Sequence, residues 1–104
     1  MPQKTYAGTT VDVDGNGYLT DFGQWTREIA LEIAREEEIP ELGDKHWQVI
    51  EYLQKNHKEG VPLSIRKVGK SGVVSIQELY DLFPGGPLKK ATRIAGIPKP
   101  ASCV

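Results

Sequence analysis

Glycines and prolines divide the chain from residue 25 onward into short segments, and these breaks restrict the possible folds most strongly. They fall at Pro40, Gly60 to Pro62, Gly69, Pro84 to Pro87 and Gly96. Between the breaks, apolar residues recur every three or four positions, as in Trp25, Ile29 and Ile33. Because proline and glycine end helices, the pattern predicts about five short amphipathic helices.

The breaks and the capping residues predict where each helix lies. The first runs from Trp25 to near Pro40, the second from the N-cap Asp44 to about His57, and the third covers Leu63 to Val68 and ends at Gly69. The fourth begins with the capping box Ser75-Ile76-Gln77-Glu78 and runs to Phe83. The fifth has Pro87 near its first position and Gly96 as a left-handed cap.

The first 20 residues have a different pattern, which is typical of strands. Val11 and Val13 alternate with acidic residues, and Asp14-Gly15-Asn16-Gly17 is rich in turn-forming residues. The predicted fold class is therefore α+β, with a three-stranded N-terminal β-meander packed on about five helices. One domain is expected over residues 1–104, comprising the meander (1–20), a helical body (24–95) and an extended, proline-containing C-terminal arm (96–104).

Composition excludes several classes of protein. The chain has 104 residues, of which 38% are apolar and 26% charged, and its apolar runs are too short for a membrane span or a secretory signal. Its single cysteine excludes an internal disulfide and a multi-thiolate metal centre. We therefore expect a soluble cytoplasmic domain with no membrane contact, and no metal or other cofactor is indicated.

The charge is distributed unevenly along the chain. Residues 1–60 have twelve acidic and six basic residues, whereas residues 61–104 have seven basic and two acidic residues. A basic C-terminal half suggests contact with an anionic partner, although the two halves could also neutralise each other within the fold.

Two motifs resemble known ligand-binding loops but are incomplete. Asp12-x-Asp14-x-Asn16-Gly17 matches the start of an EF-hand loop, yet position twelve is Gly23 instead of glutamate. Gly69-Lys70-Ser71 matches the end of a P-loop, yet Ser64 occupies the place of its first glycine. We therefore expect a hairpin turn at the first motif and no nucleotide at the second.

Other residue types with potential chemistry are more simply explained by structure. His46 and His57 fall on one predicted helix about 16 Å apart, too far to share a metal. Trp25 and Trp47 occupy apolar positions and are predicted to anchor the core.

Cys103 is the residue for which the sequence most clearly suggests chemistry. A lone cysteine is usually buried, but this one is penultimate, on a segment stiffened by Pro98 and Pro100. A thiol held beyond the last helix could enter a partner's active site, while the partner binds the folded body outside that site. The spacing predicts a thiol-carrying arm.

The C-terminal region resembles the DsrC/TusE family of dissimilatory sulfite reductase gamma-subunit-like and sulfur-relay proteins. The resemblance depends on Leu82-Phe83-Pro84-Gly85-Gly86-Pro87, on Ala95-Gly96-Ile97-Pro98-Lys99-Pro100 and on the penultimate Cys103. It extends over nearly the whole chain through Asp14-x-x-Gly17-Tyr18-Leu19, the Trp25 helix and His46-Trp47. It implies a three-stranded meander packed on about five helices.

The resemblance also implies a function for Cys103, which would hold sulfur as a persulfide or a mixed disulfide. Family members with two tail cysteines have the second at the position of Thr92, so a disulfide or trisulfide redox cycle is in doubt for this chain. A single penultimate cysteine is the TusE-like state. The implied partners are sulfur donors of the TusBCD/DsrEFH type and an acceptor such as a tRNA-thiolating enzyme or sulfite reductase. The short Lys67–Ile76 stretch makes a one-cysteine DsrC-like paralogue equally compatible with the sequence.

A thiolate forms more readily near cations, so basic residues on the C-terminal half are candidates for a surface near the arm. The candidates are Arg66, Lys89, Lys90, Arg93 and Lys99. Lys67 and Lys70 are expected to be solvated surface charges.

Two functions of other classes remain open. The predicted helices on either side of Gly69 to Gly72 could form a helix-turn-helix that binds DNA, although the second, Ser75 to Phe83, has no basic residue of its own. An adaptor that only binds a sulfite reductase would not need Cys103. The sequence does not distinguish tRNA thiolation, sulfur oxidation and sulfite reduction.

Overall fold

The chain begins with a two-stranded antiparallel hairpin. The computed structural model describes residues 2–99, in which β1 (Gln3–Tyr6) pairs with β2 (Thr9–Asp12). Ala7 and Gly8 connect the strands with φ values of 50° and 77°. Two consecutive residues with positive φ suit the right-handed twist of a tight hairpin.

The predicted third strand is not present as a strand. Val13 and Leu19 form only an isolated antiparallel bridge. The extended segment stops because Asp21 Oδ1 accepts a hydrogen bond from Gly23 N at 2.9 Å and begins a short 3₁₀ turn, Phe22–Gln24. The described sheet therefore has two strands, and the three-stranded meander was wrong in that respect.

Five α-helices follow, as the glycine and proline breaks predicted. They are α1 (Arg27–Glu36), α2 (Asp44–Lys58), α3 (Ile65–Lys70), α4 (Ile76–Leu82) and α5 (Pro87–Ile94). The capping box is confirmed, since Ser75 Oγ accepts from Glu78 N at 3.1 Å and the Glu78 carboxylate accepts from Ser75 N at 3.0 Å. The left-handed Gly96, with φ of 73°, is also confirmed.

Several predicted helix ends are displaced. α1 begins at Arg27 because the Thr26 hydroxyl caps it, and it ends at Glu36 because Glu38 adopts a φ of 65°. Asp44 is the first residue of α2, with Gly43 as its N-cap. α3 begins two residues later than predicted and includes Gly69.

The core lies between the hairpin and the helices. Its largest fully buried side chains come from the hairpin region and from every helix except α3, which contributes the smaller buried Val68; they include Leu19, Ile29, Ile50, Leu53, Leu79, Phe83, Leu88 and Ile94. Trp25 and Trp47 pack against this core while remaining partly exposed. α5 packs against α1, α2 and α4, so the helix before the C-terminal arm is the central element. No helix within residues 2–99 is both long and apolar enough to cross a membrane.

Candidate functional site

The base of the C-terminal arm is fixed to the body by backbone carbonyls at the end of α5. Trp25 Nε1 donates to Ile94 O at 2.8 Å, and the Gln54 side chain donates to Ala95 O at 2.9 Å. These two bonds satisfy carbonyls that the end of a helix leaves without partners. The Trp25 ring also lies where a side chain on Gly96 would have to be.

The chain becomes exposed immediately after this anchor. Ile97 is 1% exposed and its N–H bonds to Thr92 O at 3.2 Å, whereas Pro98 and Lys99 are exposed. The predicted extended arm thus begins with two residues that belong to the packed body. Residues 100–104, including Cys103, lie outside the described residues.

A groove of about 300 Å³ opens beside Lys99, the last residue that the structure describes. We call it the tail groove; it is lined by Asn16, Tyr18, Glu37, Gly85, Lys89, Lys90, Arg93 and Lys99. It therefore brings together four of the five basic residues that the sequence singled out. The fifth, Arg66, lines a separate groove beside α3.

Arg93 lines the tail groove but is almost fully buried, and its charge is neutralised. It is 8% exposed, and its guanidinium donates to Glu37 Oε1 at 2.7 Å, to Glu36 Oε1 at 2.5 Å and to Gly17 O at 3.1 Å. It also donates to the Tyr6 hydroxyl at 3.2 Å. Two carboxylates on one guanidinium make Arg93 a structural cation that joins α5 to the end of α1 and to the hairpin.

The same contacts shift the ionisation of this cluster. Burial raises the pKa of Glu36, but hydrogen bonds from Arg93 and Tyr6 outweigh burial, so this pKa lies below its ordinary value. Burial lowers the pKa of Arg93, while the hydrogen bonds to Glu36 and Glu37 raise it overall. Burial raises the pKa of Tyr6. The ion pairs are therefore favoured at neutral pH.

The lysines of the tail groove are arranged differently from Arg93. Lys90 Nζ donates to Glu37 O at 3.3 Å, which holds this side chain across the groove. Lys89 and Lys99 are exposed. The three lysines form no ion pair with any residue in the part of the chain that the structure describes, so their charges are available to an anion in the groove.

Thr92 lies directly behind the wall of the tail groove. It is fully buried, and its hydroxyl donates to Leu88 O at 2.7 Å. The hydroxyl is also 3.2 Å from Lys89 O, to which Tyr18, a groove residue, donates at 3.0 Å. One backbone carbonyl therefore links Thr92 to the groove surface.

The acidic motif near the N-terminus serves structural purposes. Asp14 Oδ1 accepts from the N–H groups of Asn16 and Tyr18, and Asp12 accepts from the side chains of Gln3 and Gln24. These bonds organise the turn and hold the hairpin against the 3₁₀ turn. The expected hairpin-turn explanation of these residues agrees with these contacts.

His46 also has a structural environment. Its Nδ1 accepts from Gly43 N at 3.1 Å, so Nε2 carries the proton and donates to Leu82 O at 3.0 Å. His46 thus connects the start of α2 to the end of α4. His57 is exposed on the last turn of α2.

Sequence reasoning missed the partners of Arg93. Glu36 and Glu37 belong to an acidic run that gave no sign of which carboxylate faces inward. The only available signal was the position of Glu36 four residues after Glu32 on an otherwise amphipathic helix, and that pattern is also typical of a solvated face.

Comparison with known proteins shows which family the chain belongs to. The model of the family described as DsrC like protein matches residues 5–104. The chain belongs to the DsrC family. Among curated members, the dissimilatory-type sulfite reductase gamma subunit of Nitratidesulfovibrio vulgaris is 35% identical over the full length of both chains. Sulfurtransferase TusE of Escherichia coli is 36% identical, with 95% of this chain and 97% of that protein covered.

Solved structures of DsrC-family proteins share the fold. Dissimilatory sulfite reductase I (DsrI) superposes with a TM-score of 0.87 at 34% identity, covering 99% of this chain and 100% of the other. The oxidized gamma subunit (DsrC) from Archaeoglobus fulgidus gives a TM-score of 0.79 at 35% identity, with 99% and 100% covered. The predicted family is therefore confirmed, and the names of its members support a role in sulfur relay.

Proposed function

We propose that this DsrC-family protein is a sulfur carrier that holds a sulfur atom on Cys103 and passes it between partner proteins. The observation that supports this most strongly is the position of the arm's base, because the chain leaves the anchored end of α5 beside three lysines with no acidic partner among residues 2–99. The family match, which extends to residue 104, includes the thiol.

The transfer is an exchange between sulfur atoms. The Cys103 thiolate attacks the outer sulfur of a donor persulfide, forming a new S–S bond as the donor's S–S bond breaks. The donor leaves as a thiolate, which takes up the proton that the Cys103 thiol had lost to solvent. No external oxidant or reductant is needed. In the discharge step, the thiolate of the acceptor attacks the outer sulfur of the Cys103 persulfide, and Cys103 leaves as a thiolate.

The lysines of the tail groove favour the reactive form of the thiol. Three residues separate Lys99 from Cys103, so their two Cα atoms lie at most about 14 Å apart. Cations next to a thiol promote thiolate formation, so these lysines act when the arm brings Cys103 to the tail groove. There they also offset the terminal carboxylate of Val104, which opposes ionisation. Arg93 contributes little to this effect because Glu36 and Glu37 neutralise it.

The proposed partners follow from the family. As the resemblance to the DsrC/TusE family implies, the donor would be a TusBCD/DsrEFH-type protein and the acceptor a tRNA-thiolating enzyme or a sulfite reductase. Of these, the names of the relatives include only sulfite reductase. Cys103 is the reacting residue in either case. Lys89, Lys90 and Lys99 assist it electrostatically, and Arg93 positions α5.

Intact-mass spectrometry tests the carrier function. The reduced protein is exposed to inorganic polysulfide or to a persulfide-loaded donor, and we expect a gain of about 32 Da that dithiothreitol removes. Because the chain has one cysteine, Cys103→Ser should show no gain. Replacing Lys89, Lys90 and Lys99 together by glutamine should slow the uptake without abolishing it.

A relocated thiol provides the matched control. Glu41→Cys combined with Cys103→Ser places a thiol on an exposed position of the body that does not line the tail groove, where it should react with polysulfide but not with a protein donor. Absence of an adduct on the unmodified protein with every donor would rule out the carrier function. Sulfur flux that persists in Cys103→Ser would instead support an adaptor that only binds a sulfite reductase.

A further inference from the structure

A second groove on the body, beside α3, is lined only by basic and hydroxyl-bearing side chains. It has a volume of about 410 Å³ and is formed by Tyr52, Ser64, Arg66, Lys67, Lys70 and Ser71. It shares no lining residue with the tail groove. We call it the α3 groove.

The charges of the α3 groove are not compensated by its surroundings. Arg66, Lys67 and Lys70 are exposed, and none of them forms an ion pair with a residue in the range 2–99. No acidic side chain lines the groove. Three positively charged side chains within one helix of six residues repel one another, and an anionic ligand would relieve that repulsion.

An apolar surface continues from this groove onto α4. Ile76 and Tyr80, four residues apart on one face of α4, are each 45% exposed. Ile76 packs over Gly69, the residue before Lys70, so that the apolar and basic surfaces meet. Large exposed apolar side chains next to charges of one sign are typical of protein-binding surfaces.

The acidic residues of α4 favour a protein over a nucleic acid as the partner. Glu78 and Asp81 are exposed, and α4 has no lysine or arginine. A phosphate backbone lying across α3 and α4 would meet both carboxylates, which repel it. A protein segment can instead place carboxylates at α3 and apolar side chains at α4.

We propose that the α3 groove and the exposed face of α4 bind an acidic segment of a partner protein whose carboxylates are followed by apolar side chains. Arg66, Lys67 and Lys70 pair with the carboxylates, while Ile76 and Tyr80 contact the apolar side chains. This surface lies apart from the tail groove, so a partner can hold the body while the arm is free to react. The proposal does not depend on sulfur chemistry at Cys103.

Peptide titration of the ¹⁵N-labelled full chain tests this surface. The probe is a peptide of about ten residues with two glutamates for each leucine, and a peptide of glutamate alone serves as a second probe. We expect amide shift changes confined to residues 64–71 and 76–80. Replacing Arg66, Lys67 and Lys70 together by alanine should weaken binding of either peptide by about tenfold, since exposed charge pairs each contribute modestly.

Two control variants separate this site from general charge attraction. Arg35→Ala combined with Lys55→Ala and Lys58→Ala removes the same charge from exposed positions elsewhere. The affinity of this variant for either peptide should stay within about twofold of that of the unmodified protein. Tyr80→Ser should weaken binding of the leucine-containing peptide and not of the glutamate peptide.

The proposal is overturned by three results. One is a lack of measurable binding to either peptide, and another is an equal loss of affinity in the two triple variants. The third is shift changes at these residues with a short DNA duplex and none with the peptides, which would support the helix-turn-helix alternative.

Discussion

Arg93 connects three parts of the chain that are far apart in sequence. Its guanidinium joins Gly17 in the turn after the hairpin, Tyr6 on β1 and the two carboxylates at the end of α1. A buried guanidinium is stable only when its donors are satisfied. This residue therefore acts on the site by fixing α5, the helix that precedes the C-terminal residues.

Replacing Glu36 by glutamine should destabilise the protein and reduce its acid sensitivity. The pKa of Glu36 lies below its ordinary value of 4.5 in the folded state, so its stabilising effect is complete above about pH 4.5 and disappears as the pH falls through the folded-state pKa. Glu36→Gln should lower the free energy of unfolding at pH 7 by about 1–2 kcal/mol, a modest value because the carboxylate is 38% exposed.

Urea denaturation at pH 7 and at about pH 3 measures this effect. The difference between the unmodified protein and the variant should shrink at the lower pH. Glu41→Gln, at an exposed position, should change neither value. A constant difference across this pH range would mean that Glu36 stabilises the fold through packing and not through its charge.

Local sequence signals predicted some residues well and long-range contacts not at all. The Ser75–Glu78 capping box and the left-handed Gly96 depend on residues a few positions apart, and both are present. Arg93 and Glu36 are 57 positions apart, and only the packing of α5 on α1 brings them together. The sequence thus identified Arg93 as a basic surface residue, whereas the fold buries it.

At the scale of elements, the ends were harder to predict than the elements themselves. The prediction of a third strand was wrong because Asp21 begins a 3₁₀ turn shortly after the Val13–Leu19 bridge. The capping ability of Asp21 competes with strand pairing, and alternation of apolar residues does not reveal which prevails. The end of α5 was predicted correctly because Gly96, with Pro98 two residues later, marks it clearly.

The end of α5 should be intolerant of a side chain at position 96. Gly96→Ala must adopt a φ of 73° and would also overlap the Trp25 ring. We expect the free energy of unfolding to fall by about 2–4 kcal/mol, because the left-handed backbone strains the new side chain and Trp25 is displaced. Gly60→Ala has nearly the same φ, 72°, with open space around the new atom, and should cost only about 1 kcal/mol.

Thermal or urea unfolding of the two variants separates these contributions. The amount by which Gly96→Ala lowers the free energy of unfolding more than Gly60→Ala does measures the contact with Trp25. Indole fluorescence should change in Gly96→Ala alone. Equal losses in both variants would show that Trp25 adjusts without cost and does not fix the base of the arm.

At the scale of the whole molecule, the uneven charge of the sequence becomes two separate basic grooves and one internal neutralised cluster. The interpretation that the two halves neutralise each other is therefore partly confirmed, while contact with an anionic partner stays a prediction. Arg93 pairs with the acidic half inside the fold, while the lysines of the tail groove and the cations of the α3 groove remain without ion pairs among the described residues. No composition argument could assign each cation to one of these groups.

Thr92→Cys tests whether the arm can return to the body. Thr92 is fully buried, but it shares the Lys89 carbonyl with Tyr18, so the new thiol would lie just behind the tail groove. Lys99 lines that groove, and only three residues separate it from Cys103. We therefore expect mild oxidation of the dilute variant to form an internal disulfide, seen as a mass loss of about 2 Da and, after denaturation, as loss of maleimide labelling at both thiols.

The control places the second thiol at a position that does not line the groove. Thr10→Cys, exposed on β2, should give only disulfide-linked dimers under the same conditions. If Thr92→Cys also gives only dimers, the arm does not reach the buried end of α5. The lysines of the tail groove would then influence Cys103 only at long range, and its reactivity would have to come from the partner that receives it.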